Sequence, residues 1–230
     1  MIYVAVAVIS VVVLVASFWV RNERAERFSG KSPAELIEEV GKEEPPVLRV
    51  LTGDLEATNQ DGETVKISDL DDKVWVVTQF FANCPICLTH NSQDLIKLYR
   101  EFSDHPDFHM VSITVDPARD NVEQLKGFAE AVGAKSEDWW FLTGEKEEIY
   151  RYLSEEMKYT PVKENPHLQG AKRFAHDFGV QVYARGRRLV RTRDLVSSKE
   201  IGPAVYERSY EELRSRIAER LETPLDIPAN

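Results

Sequence analysis

From Val47 onward the chain alternates between short apolar runs and segments of helical period, and this alternation predicts the fold. Val74-Trp75-Val76-Val77-Thr78-Gln79-Phe80-Phe81 has strand length and apolar residues at odd and even positions, the pattern of a strand buried on both faces. His109 to Val115 repeats it and stops at Asp116-Pro117; Trp139 to Leu142 is a third, shorter run. Between them, Leu88, Leu95, Ile96, Leu98, Tyr99 and Phe102 recur near the helical period, predicting a helix from Pro85 to Phe102. Asn121 to Val132 predicts a second helix, with Asp120 and Glu123 as a capping-box-like start, and Lys146 to Met157 a third. Thr160 to Phe174 reads as a polar loop. Val180–Tyr183 and Leu189–Thr192 read as a hairpin around Arg185-Gly186, and Tyr206–Leu221 as the last helix. Asp61-Gly62 marks an earlier turn between polar strands. Strands alternating with helices, then a hairpin and a last helix, predict an α/β domain with a central mixed sheet.

The N-terminus follows a different rule. Met1 to Val20 carries no charge, and a helix of that length spans roughly 30 Å, the thickness of a bilayer's hydrocarbon core. The Val/Ile richness favours a strand in water, but in lipid only a helix satisfies a lone segment's backbone. Tyr3 and Trp19 stand near its ends, where amphipathic rings prefer the interface. A cleaved signal peptide is the competing reading, disfavoured by the long apolar run, the lack of a basic n-region and the lack of an A-x-A site. Residues 1–20 are therefore expected to be a single-pass anchor. Residues 21–46 form a charged tether with one short helix started by Ser32-Pro33-Ala34-Glu35, residues 47–225 the α/β domain and 226–230 a tail. Arg21, Arg24 and Arg27 follow the anchor and no Lys or Arg precedes it, which by the positive-inside rule places the domain in the cytoplasm.

Composition narrows the functional classes. The 29 Lys+Arg against 39 Asp+Glu give a net charge of −10, a poor surface for nucleic-acid binding. Two cysteines in 230 residues exclude a multi-disulfide scaffold and an all-cysteine metal cluster within one chain. Both lie in Asn83-Cys84-Pro85-Ile86-Cys87, between the first buried strand and the predicted helix. A thiol at a helix N-terminus faces unpaired N–H groups, which favour its thiolate, and Pro85 suits the first helical position. Cys84 is expected to be the exposed, low-pKa sulfur and Cys87 its partner one turn in. Such a pair either cycles between dithiol and disulfide or holds a soft metal ion. Arg185, Arg187, Arg188, Arg191 and Arg193 make a basic hairpin, read as a solvated face or, second, as a dock for an acidic partner or lipid. His105, His109 and His167 have no supporting context.

Several ordered motifs resemble the Sco/SenC family. Asp61-Gly62, Ile67-Ser68-Asp69-Leu70, Lys73-Val74-Trp75-Val76-Val77 and the Cys-Pro-x-Cys segment are similar to that family's opening. Ser112 to Asp120 resembles its strand and DPxRD turn, Phe141-Leu142-Thr143-Gly144 its Leu-Thr-Gly step, and Arg185-Gly186 with Leu189-Val190 its late hairpin. The resemblance implies a membrane-anchored, thioredoxin-like three-layer domain on the outer, periplasmic-side face of an energy-transducing membrane, against the charge rule above. It further implies assembly of the copper centre of cytochrome c oxidase, with the copper-receiving oxidase subunit as partner. The implied Cu(I) ligands are Cys84, Cys87 and His176, and the implied thiol chemistry uses Cys84 to attack and Cys87 to resolve. Two departures bear on this. The family normally has three residues between its cysteines and this chain has two, the spacing of thioredoxin-type oxidoreductases; and His176 stands in Ala-His-Asp where the family usually has Asp-His-Ser. The alternatives are a membrane-bound thiol–disulfide oxidoreductase without copper, and a non-catalytic tethered interaction domain.

Overall fold

The computed structural model describes Val15 and residues 47–82, 92–168 and 173–223. The predicted anchor, the tether, both cysteines and the tail lie outside the described residues, and among those described no helix is long and apolar enough to cross a membrane.

A six-stranded mixed sheet carries the domain. Its strands are β1 (Arg49–Val50), β4 (Val74–Phe80), β5 (Phe108–Thr114), β6 (Trp139–Leu142), β9 (Gly179–Ala184) and β10 (Arg188–Asp194), in the order β1-β10-β9-β4-β5-β6. A small ladder of β2 (Glu56–Thr58) and β3 (Thr64–Lys66) precedes it around the Asp61-Gly62 turn, and β7 (Lys163–Glu164) pairs with β8 (Phe174–Ala175) ahead of β9. β4, β5 and β6 are parallel, which requires crossovers; α1 (Ser92–Phe102) and α2 (Val122–Val132) provide them. β9 returns antiparallel on β4, with Trp75 opposite Tyr183 and Val77 opposite Gln181. Trp75 and Tyr183 stack at 4.4 Å between ring centroids, a pairing worth about 1 kcal/mol beyond its buried area.

The two-sided burial expected of β4 holds at every position. Val74, Val76 and Phe80 face a layer formed by α1, α2 and α5 (Pro203–Glu222), through Leu95, Leu98, Leu125, Leu213 and Ile217. Trp75, Val77 and Phe81 face the other layer, which includes Tyr152, Leu153, Met157 and Tyr159. Helical and irregular layers on both faces of one sheet make the three-layer, thioredoxin-like architecture.

Differences from the sequence reading have local causes. The second helix is capped by Asn121, whose side chain accepts from the Gln124 N–H, and Asp120 turns inward instead. The third helix, α3 (Lys146–Arg151), widens into a π-helical turn over Tyr152–Glu156. The predicted polar loop contains β7 and ends on the first residue of β8, each strand of two residues and too short to show a period. The last helix starts earlier, at Pro203, and follows a separate α4 (Leu195–Ile201). Gly202, at φ +149°, makes the break between them, and Pro203 opens α5 where its missing N–H costs nothing.

The basic hairpin is spent internally. Arg185 pairs with Asp107 at 2.6 Å and donates to the carbonyls of Asp72, Arg220 and Thr223; Arg187 pairs with Asp71 and donates to the Gly53 carbonyl. Arg191 and Arg193 both reach Glu212. These arginines tie the sheet edge to α5 and to the loops beneath it, a role neither sequence reading assigned.

Candidate functional site

Parallel strands present their C-terminal ends together, and the loops leaving those ends are where α/β folds place chemistry. Here β4 ends at Phe80 and continues through Phe81 and Ala82 toward the Cys84-Pro85-Ile86-Cys87 segment, whose own placement is outside the described residues. The strands bring His176 to this same end. It sits between β8 and β9, and β9 runs antiparallel on β4, so the turn that starts β9 lies over the end of β4.

His176 is half-buried against aromatic rings. Its ring meets Phe81 edge-on at 5.8 Å and lies 4.7 Å from Phe178. Nδ1 lies 2.9 Å from the Asp177 carbonyl oxygen. A carbonyl oxygen only accepts, so in this contact Nδ1 carries the proton. Burial lowers the imidazole pKa, and the Asp177 carbonyl and carboxylate partly oppose that shift. The result favours a neutral imidazole with a defined tautomer, the form in which histidine binds metal.

Asp177 holds the histidine in place with all its polar groups. Its Oδ1 accepts from the Gly179 N–H at 2.7 Å, and its Oδ2 from the Thr160 N–H and Oγ1 at 3.2 and 3.1 Å. Its own N–H donates to Gln79 Oε1 at 3.2 Å. Gln79 is 1% exposed, and its Nε2 has no partner among the described residues.

The DPxRD turn braces the other side. Asp120 is fully buried, and its Oδ2 accepts from the Ala82 N–H at 3.0 Å and from Thr114 Oγ1. Burial raises the Asp120 pKa against the lowering effect of those two bonds. Asp116 pairs with Arg119, whose guanidinium lies 6.0 Å from the centre of the Phe174 ring; Phe174 in turn packs edge-on to Phe81.

Of the predicted site residues, the fold places His176 at the strand end that leads to Cys84 and Cys87. It brings none of the other described histidines there. His109 is buried beside Trp140, opposite Trp75 near the start of β4, and His105 and His167 lie in turns. Among the described residues no three His, Cys, Asp or Glu side chains gather as a metal cluster. Sequence reasoning missed Gln79 and Asp177, and assigned Asp120 to a helix cap that Asn121 provides. Gln79 carried a signal, being a large polar residue in an otherwise apolar buried strand.

Comparison with known proteins fits this geometry. The family model described as SCO1/SenC matches residues 45–206, well over half of the 230-residue chain. The chain belongs to the SCO1/SenC family. A SCO1 protein homolog of Bacillus subtilis (strain 168) is 37% identical to this SCO1/SenC chain over 89 residues, which cover 37% of the chain and 45% of that relative. The match thus spans less than half of the curated relative's length. Among solved structures, BsSco, a member of the Sco family of cytochrome c oxidase assembly proteins studied for a disulfide switch, superposes with a TM-score of 0.62. It is 22% identical, covering 79% of this chain and 98% of its own. Bradyrhizobium japonicum ScoI with copper bound gives a TM-score of 0.59 at 20% identity, covering 75% of this chain and 99% of its own. At those identities the structural likeness speaks for the fold, and it is the thioredoxin-like fold of Sco proteins.

Proposed function

We propose that this SCO1/SenC member is a membrane-anchored assembly factor for the copper centre of cytochrome c oxidase, which carries Cu(I) through Cys84, Cys87 and His176 or uses the thiols to reduce the cysteines of the copper-receiving subunit. The observation that carries the copper reading is His176 itself. Its Nδ1 meets the Asp177 carbonyl, burial lowers its pKa, and it sits at the same strand end that runs into the cysteine segment. Two thiolates and one imidazole form a soft donor set suited to Cu(I). Copper here is cargo: binding releases whatever protons the two thiols still carry, and handing Cu(I) to the partner lets the thiols take protons back from solvent.

A second reading rests on the two-residue spacing of the cysteines, which is that of dithiol oxidoreductases. In that chemistry Cys84 thiolate attacks a partner disulfide and displaces one partner thiolate. Cys87 thiolate then attacks the mixed disulfide, leaving a Cys84–Cys87 disulfide and a fully reduced partner, a two-electron exchange with no further reagent. The anchor at residues 1–20 and an outer-face domain belong to the same proposal, since the oxidase domain that receives copper faces that side.

The test is a Cu(I) titration of the full chain under reducing conditions, beside His176→Ala and Cys84→Ala/Cys87→Ala. Stoichiometric binding that both substitutions weaken supports the copper carrier. No binding alongside a reversible Cys84–Cys87 disulfide supports the reductase alone, and neither activity leaves a tethered interaction domain. A topology reporter fused after Asn230 checks the outer-face placement, and a cytoplasmic signal contradicts both assembly readings.

A further inference from the structure

Gln79 is an unusual residue for its place. It lies in a strand buried at every position, among Val74, Trp75, Val76, Val77 and Phe80, on the face that also carries Trp75, Val77 and Phe81. An apolar side chain of the same length would bury there without penalty. The amide instead leaves its Nε2 without a partner among the described residues, and a buried unmade donor costs about 1–3 kcal/mol.

What the amide supplies in return is one acceptor. Gln79 Oε1 takes the Asp177 N–H at 3.2 Å, and the amide orientation is fixed because only the oxygen can accept from an N–H. That N–H belongs to the peptide joining His176 to Asp177. The Asp177 carbonyl, one residue on, receives the His176 Nδ1–H. The carboxylate of Asp177 is held from the opposite side by Gly179 and Thr160. With Gln79 in place, the N–H of the residue whose carbonyl holds Nδ1 is anchored, and Phe81, one residue past the end of β4, meets the ring edge-on. One strand therefore leads into Cys84 and also sets the backbone that orients His176.

We propose that Gln79 is a positioning residue for His176: by accepting the Asp177 N–H it anchors the residue whose carbonyl holds the His176 Nδ1–H, and so sets Nε2 as the nitrogen offered to copper. The inference rests on the copper reading for its consequence, but the tautomer lock is a property of the metal-free protein. Removing the acceptor leaves the part-buried Asp177 N–H unpaired, and the turn relaxes to re-pair it. The imidazole then loses its fixed carbonyl partner.

The experiment uses the full chain labelled with 15N-histidine, metal-free and reduced, with long-range proton–nitrogen spectra of the imidazoles. The variants are Gln79→Met, which keeps length and removes the acceptor, and Gln79→Glu, which keeps an acceptor oxygen. His176 is expected to show one Nδ1–H tautomer in the wild type and in Gln79→Glu, and tautomer averaging in Gln79→Met. An unchanged His176 pattern in a folded Gln79→Met chain overturns the proposal, and so does averaging already present in the wild type. If Gln79→Met does not fold, averaging in Gln79→Glu, which retains the acceptor, overturns it and a single tautomer there supports it. In a parallel Cu(I) titration, Gln79→Met is expected to weaken binding about tenfold, and the double variant with His176→Ala to bind no more weakly than His176→Ala alone, since residues acting through one another are non-additive. Additive losses overturn the link to copper. A wild-type chain that binds no Cu(I) overturns the copper reading, and the metal-free spectra then decide the positioning role by themselves.

Discussion

The carboxylate of Asp120 accepts the amide proton of Ala82 at 3.0 Å, tying the turn after β5 to the last described residue before the cysteine segment. The same oxygen accepts from Thr114 Oγ1, and the side chain is fully buried. Asp120→Ala therefore leaves the part-buried Ala82 N–H and the buried Thr114 hydroxyl without this acceptor, and a loss of about 2–4 kcal/mol is expected from urea unfolding. Asp120→Asn keeps an acceptor oxygen and removes a charge that burial disfavours, so it is expected to cost less than half as much. Equal losses for the two variants would show that the charge, rather than the acceptor, does the holding.

His109 makes the fold acid-sensitive. Burial pushes its pKa down to about 3, and the nearby Lys73 charge pushes the same way. The folded state thus favours neutral imidazole, whereas the unfolded chain takes up a proton near the ordinary value of about 6.5. The stabilisation from neutral His109 is fully present above that value and is lost as pH falls toward 3, at up to about 1.4 kcal/mol per pH unit. His109→Phe, which keeps an aromatic ring beside Trp140, is expected to flatten the stability profile between pH 6.5 and 4.5. Urea midpoints across that range check it.

Gly179 leaves no room for a methyl group. A Cβ there would stand 2.8 Å from Asp177 Oδ1, the atom that accepts the Gly179 N–H. Because Thr160 holds the other oxygen, the carboxylate cannot swing aside cheaply. Gly179→Ala is expected to cost about 1–3 kcal/mol, the usual range for overpacking a tight site. It should also shift the His176 ring resonances, while an Ala at the unencumbered Gly127 leaves them in place.

Arg185 is structural. It pairs with Asp107 and donates to three backbone carbonyls, two of them at the end of α5, with its side chain 11% exposed. Arg185→Ala is expected to lower stability by about 2–4 kcal/mol through the groups it leaves unpaired. A docking arginine would lose partner binding with stability unchanged, so thermal unfolding separates the two.

The buried parallel strands were legible because Val74–Phe80 and Phe108–Thr114 are long enough to show continuous apolar runs, and the helices between them because their apolar period spans several turns. β1, β7 and β8 were not, since two residues carry no period. Asp120 read as a cap because caps and buried acceptors use the same residue type, and only the coordinates show that Asn121 takes the cap. At the candidate site, the candidacy of His176 came from family resemblance; its Nδ1 contact with the Asp177 carbonyl joins adjacent residues and leaves no trace in spacing. The Gln79–Asp177 bond spans 98 positions and is invisible to any local pattern, although the polar residue in an apolar run marks one end of it.

Copper K-edge X-ray absorption on the Cu(I)-loaded full chain tests the central claim most directly, because it counts the atoms bound to the metal. Two sulfurs and one histidine nitrogen are predicted, with the nitrogen lost in His176→Ala and the sulfurs lost in Cys84→Ala/Cys87→Ala. A sulfur-only shell in the wild type, or a histidine nitrogen that survives His176→Ala, would contradict it.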